Sequence, residues 1–165
     1  DATYAFNGTA TLNGGDAGID ILNGSAGTFT FSTNTAITSP SGVAFNLVGG
    51  TATVTYSGGI TQANSAAAVS ISGAHATGTA TFQTGAINAS SGTGLQFTNA
   101  DGTYAFNGTT TLNGGDAGID IRTGSAGTFT FGAATSITSP SGTSISITTL
   151  STCNVVYSGN IQWAR

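Results

Sequence analysis

Lysine, glutamate and methionine are missing from the 165 residues, and the full charges come to six Asp and two Arg. Charged side chains make up 5% of the chain and the formal net charge is -4. No basic patch exists to neutralise phosphates, which excludes DNA, RNA and an anionic membrane surface as partners. The single cysteine, Cys153, permits no disulfide framework within the chain, and the single histidine, His75, permits no His/Cys metal set. A nucleophile paired with a histidine base cannot be assembled from these residues either. The apolar runs are far too short for a membrane span in this segment. What is present is 38% hydrophobic, with nine Phe, four Tyr and 26 Gly. That is too apolar for a disordered linker, and a folded chain is expected.

The chain repeats itself. Residues 3–42 and 103–142 align without a gap and match at 33 of 40 positions, including TLNGGDAGIDI and GSAGTFTF. Within this duplication lies a smaller period. The apolar doublets Ile19/Ile21, Phe45/Leu47, Val69/Ile71, Leu95/Phe97, Ile119/Ile121 and Ile145/Ile147 follow one another at 26, 24, 26, 24 and 26 residues.

About ten residues after each doublet comes a second column: Tyr4/Phe6, Phe29/Phe31, Val54/Tyr56, Ala80/Phe82, Tyr104/Phe106, Phe129/Phe131 and Val155/Tyr157. A third column carries one apolar residue per unit, Leu12, Ile37, Ile60, Ile87, Leu112, Ile137 and Ile161. Alternation with period two marks short strands, and no helical periodicity competes. Between the strands lie turn formers such as Asn7-Gly8, Asn23-Gly24, Gly49-Gly50, Gly58-Gly59 and Ser39-Pro40-Ser41-Gly42.

Three short strands per unit, with like residues recurring every 24–26 positions, predict an all-β fold: a parallel β-helix of about seven coils. Parallel crossovers make the right-handed winding the expected hand. A lone coil buries too little to offset the entropy of ordering it, so stability must come from stacking. Residues 1–165 read as one solenoid segment whose ends, cut at incomplete coils, carry no cap. The expectation is a segment of a longer protein, or a subunit whose partners are neighbouring coils or subunits stacked end to end.

The units GIDI, GTFTF, ITSPSG and ATVTYSG resemble the β-strand repeats of long bacterial surface and secreted proteins, such as autotransporter passengers and filamentous-haemagglutinin-like adhesins. The resemblance covers essentially the whole chain. It implies an extracellular or cell-surface location and a non-enzymatic stalk, fibre or adhesin segment that meets a host or surface ligand. One irregularity falls in the sixth coil, between Ile147 and Val155, a region that also carries Cys153 and Trp163.

Candidate chemistry is sparse. Parallel β-helices include polysaccharide lyases and hydrolases that act through clustered carboxylates. Here Asp20 and Asp120 hold the same outward position four coils apart, about 19 Å at the usual strand spacing, too far for paired acid and base work. With Asn46, Ser70, Gln96 and Ser146 they form a polar rail. The stretch GGDAGID, at 14–20 and 114–120, resembles the glycine-rich nonapeptide that binds calcium in secreted toxins, with a spacing one residue off and copies 100 residues apart. It reads as a Gly-rich corner, with Asp16 or Asp116 as the only candidates for weak surface calcium binding. Asn7, Asn23, Asn88 and Asn107 satisfy the N-glycosylation pattern. No catalytic residue, metal ligand or cofactor is assigned.

The most specific signal is on the second column. Its outward residues read Thr28/Thr30, Thr53/Thr55, Thr79/Thr81, Thr103/Ala105 and Thr128/Thr130. Spacings of about 6.7 Å along a strand and about 4.8 Å between coils make a lattice of hydroxyls and methyls without charge. This face resembles the threonine ladders of β-solenoid antifreeze proteins, which implies ice as an alternative partner. The competing explanation is that Thr is simply a favoured strand residue.

Overall fold

The computed structural model describes residues 2–16, 18–22, 24–116 and 118–163. Among these the regular structure is entirely β, mostly strands of three to five residues. Each pairs in parallel with its counterpart in the coils before and after. The fold is a parallel β-solenoid with three walls. The winding follows from the doublets: a strand alternating apolar and small polar residues has one face to bury, and the like strand of the next coil offers matching surface.

The second wall stacks Thr3–Phe6, Thr28–Phe31, Thr53–Tyr56, residues 79–82, residues 103–106, Thr128–Phe131 and Asn154–Tyr157, residue on residue without a slip. Tyr4, Phe29, Val54, Ala80, Tyr104, Phe129 and Val155 therefore form one interior row, and Phe6, Phe31, Tyr56, Phe82, Phe106, Phe131 and Tyr157 the next. The first wall holds the expected doublets in register from Ile19/Ile21 to Ile145/Ile147. Aromatic rings fill the tube. Phe82 and Phe106 stack at 4.6 Å, while Phe45 and Phe97 enter from the first wall edge-on, Phe45 5.4 Å from Tyr56 and Phe97 4.9 Å from Phe129. Stacked and edge-to-face pairs add to burial alone.

Two features differ from the expectation. Leu12, Ile37, Ile60 and Ile87 do share a row of the third wall, and so do Leu112, Ile137 and Ile161. Between them the register steps by two, because Ile87 pairs with Thr110 while Leu112 pairs with Ala89. A two-residue step keeps inward residues inward, so it costs no burial. The second difference lies at the corner between the first and second walls. Val69–Phe82 and Gly94–Phe106 run through it as single long strands. Left-handed residues bend them there: Gly73 (φ 72), Ala74 (φ 61), Thr77 (φ 58) and Asn99 (φ 53). The irregular corner after Ile147 uses the same device at Thr149 (φ 57) and Leu150 (φ 59).

Candidate functional site

Pairing of the second wall sets the threonines in two outward rows. Thr28, Thr53, Thr79, Thr103 and Thr128 are consecutive in the first, and the second reads Thr30, Thr55, Thr81, Ala105, Thr130. Thr3 extends the first row by one coil, in register with Thr28. The sequence reading passed over it, although it is the duplicate of Thr103. Asn154 and Val156 end the rows. Thr28, Thr53 and Thr103 are exposed and the other six assigned threonines half-buried. Among the described residues none of these hydroxyls hydrogen-bonds to another protein group. Each keeps its donor and lone pairs for water or for whatever lies against the wall.

The first wall carries Asp20, Asp120 and Arg122. Asn46 donates to Asp20 at 3.0 Å. One hundred residues on, Asp120 accepts from Gln96 at 2.7 Å and from Arg122 at 2.6 Å, and Gln96 also donates to the Thr93 carbonyl. These partners cover Asp120, leaving it 7% exposed although it faces outward, whereas Asp20 is exposed. The two carboxylates sit four coils apart on one row. That arrangement neutralises and tethers Asp120 rather than pairing an acid with a base.

At the Gly-rich corners, Asp16 gives its carbonyl to the Gly42 N–H at 2.6 Å, and the Asp116 carboxylate lies over Gly142. Ser41 and Ser141 each bond the carbonyl one coil below, of Gly15 and Gly115. Among the described residues no three His, Cys, Asp or Glu side chains stand close enough to share a metal ion. Of the glycosylation-pattern asparagines, Asn7, Asn88 and Asn107 are exposed, and Asn23 lies outside the described residues.

His75 sits fully buried in the corner between the first and second walls. Its Nε2 lies 3.0 Å from the Ala52 carbonyl and its Nδ1 2.9 Å from the Tyr104 hydroxyl. A carbonyl only accepts, so Nε2 carries the proton and Nδ1 faces Tyr104 as an acceptor. The Tyr104 oxygen accepts the Gly102 N–H at 2.9 Å and lies 3.1 Å from the His75 carbonyl. Burial lowers the His75 pKa below the ordinary 6.5, with the Ala52 hydrogen bond opposing. Burial likewise raises the phenols of Tyr56 and Tyr104, helped at Tyr104 by the Asp101 charge. The group holds a neutral imidazole inside the wall. Cys153 is half-buried against the core, a structural position.

Tyr4 and Phe6 are each 45% exposed, and Phe6 lines a cavity of about 200 Å³ with Leu12, Ile19 and Phe31. Ile147, Ile161 and Trp163 are also exposed.

The chain matches no protein-family model, no curated protein and no solved structure.

Proposed function

We propose that the chain is a non-catalytic rod segment of an extracellular bacterial surface protein, an adhesin-type stalk that spaces or displays what it carries. The observation behind this reading is the unbroken interior: aromatic and aliphatic rows run from coil to coil, and the walls outside them carry mainly short polar side chains. Such a body resists bending and offers long regular faces. Antibody labelling of intact cells tests the location; signal appearing only after lysis would overturn it. Incubation of the purified protein with a panel of polysaccharides tests the absence of catalysis, and cleavage at a meaningful rate would end that part of the reading.

A second reading, ice binding, is favoured by one specific observation, the in-register threonine rows with unengaged hydroxyls. Hydroxyls and methyls on a repeating lattice can hold an ordered water layer against ice. Thermal hysteresis and crystal shaping measure this directly. Thr79→Lys, with folding intact, abolishes both if the second wall is the binding face. Absence of any shaping by the native protein at high concentration eliminates the reading.

A further inference from the structure

Lysine is missing, and Arg122 is the only cation among the described residues. A protease that reads basic side chains therefore meets one bond in them, Arg122–Thr123. It lies at the corner after the strand Gly118–Arg122, a surface turn of the kind where nicking concentrates. The first copy of the duplication carries Leu22 at the equivalent position and offers no such bond. The Arg122 side chain is 44% exposed, and Thr123 is exposed as well.

Cutting after an arginine makes three demands on the substrate. Its cation must enter an acidic pocket, its carbonyl oxygen must enter an oxyanion hole, and its backbone must lie extended in the cleft. Each demand is opposed here by a separate contact. Nη2 of Arg122 donates to Asp120 at 2.6 Å, and Gln96 of the preceding coil holds that carboxylate at 2.7 Å. The Arg122 carbonyl accepts the Ser125 hydroxyl at 2.7 Å and the Ser125 N–H at 3.4 Å. Ser125 is fully buried, and its oxygen also accepts the Ala100 N–H at 3.1 Å, which ties the turn to the coil before. On the leaving side Thr123 is left-handed (φ 52), a conformation that a β-branched residue rarely adopts. Gly124 is left-handed too (φ 72), and its N–H donates to the Thr149 carbonyl of the next coil at 2.8 Å. The turn cannot straighten without giving up these bonds.

We propose that Arg122–Thr123 is a latent cleavage site for an arginine-directed serine protease, shut while its coil is stacked between its neighbours and opened when this corner comes free. The group that is recognised stands outside and the scissile carbonyl is withdrawn, so cutting follows the population of the open corner. In the reaction water adds across the C–N bond: Arg122 is left with a carboxylate and Thr123 with an amine. The two pieces stay joined. Thr128–Phe131, Thr135–Thr138 and Ile145–Ile147 still pair with residues 103–106, Thr110–Asn113 and Ile119–Ile121. The product is a nicked solenoid rather than a divided one. This goes beyond the rod reading and does not depend on where the rod is displayed.

The test is digestion of the native protein with trypsin, read by mass spectrometry and gel filtration, beside a free peptide of residues 118–128. One cut is expected, after Arg122, at a rate about a hundredfold below that of the peptide, the joint effect of three hydrogen bonds at the turn. The nicked protein should elute with the intact one and part into two pieces only in denaturant. Ser125→Ala, which frees the scissile carbonyl from its hydroxyl partner, should raise the rate about tenfold. Asp120→Asn, which releases the guanidinium, should raise it about fivefold, and Arg122→Gln should abolish the cut. Melting curves show whether each variant is folded, and Asp120→Asn decides the matter if Ser125→Ala is not. A native protein cut as fast as the peptide means that the bond is not shut. No cut in either folded variant means that it is not a cleavage site, and rates unchanged from the native protein mean that these contacts are not what shuts it. Pieces that separate without denaturant refute the nick. Each of these results overturns the proposal and leaves the rod reading as it stands.

Discussion

Truncation of Phe97 probes the architecture most sharply. The side chain is fully buried, with the rings of Phe129, Tyr104, Phe106 and Phe131 at 4.9, 5.8, 6.0 and 6.3 Å. Phe→Ala in a core costs about 3–5 kcal/mol, more where the surroundings cannot collapse into the gap. Here the walls around the ring are held by ladders to the coils on both sides, so Phe97→Ala should fall at about 4–5 kcal/mol. With a urea slope of about 2 kcal/mol/M, the midpoint drops by roughly 2 M. Thr30→Ala, on the outward side of the second wall, costs well under about 1 kcal/mol. Phe6→Ala, half out of the tube, falls between them at about 1–2 kcal/mol. Because a solenoid's stability is a sum over neighbouring coils, hydrogen exchange in Phe97→Ala should quicken first in residues 94–106 and 118–131. Equal losses at Thr30 and Phe97 would mean that inward and outward faces have been exchanged, and the whole stacking scheme would fall.

Three further outcomes follow from named contacts. The folded state holds His75 neutral with its pKa below 6.5, so the unfolded chain binds the extra proton. Its contribution to stability is whole above about pH 6.5 and is lost as the pH falls through that value toward the folded pKa. Denaturant midpoints measured from pH 7.5 to 4.5 should show this, and His75→Leu should remove that part of the slope; an unchanged slope refutes the assignment. A Cβ on Gly85 would lie 1.7 Å from the Gly58 carbonyl oxygen, while one on Gly8 meets nothing within 4 Å. Gly85→Ala should therefore cost about 3 kcal/mol and Gly8→Ala almost nothing, by thermal unfolding; similar melting temperatures would deny the close coil contact. Arg122→Ala removes an ion pair whose arginine side chain is 44% exposed, so it should cost less than about 1 kcal/mol, and a loss near 3 would show that Asp120 depends on that charge.

Most of the first two walls was legible because each strand there carries two apolar markers. A doublet such as Val69/Ile71 fixes both direction and phase, and every doublet pairs where its spacing places it. The third wall offers one marker per strand. Ala89 and Thr110 pass equally well as interior residues, so the two-residue step between Ile87 and Leu112 left no trace in the spacing. His75 was hidden for another reason. Its partners, the Ala52 carbonyl and Tyr104, stand 23 and 29 residues away, and the strand that carries it bends on left-handed Ala74 and Thr77 that no local pattern announces.

The same reasoning separates what a row can disclose from what a residue can. The threonine face was readable, and Thr3 recoverable from its duplicate, because the property belongs to a period and needs no knowledge of neighbours. The duplicated segment shows the converse. Asp20 and Asp120 occupy identical positions in nearly identical sequence, yet one is exposed and the other nearly covered, since Gln96 and Arg122 flank the second where Leu22 replaces arginine beside the first. In a solenoid the chemistry of a side chain is set as much by the coils on either side as by its own strand. A function carried by a repeating face is therefore open to sequence reading, and a feature carried by a single coil, such as the buried contact of His75 with Tyr104, emerges only when the stacking is laid out.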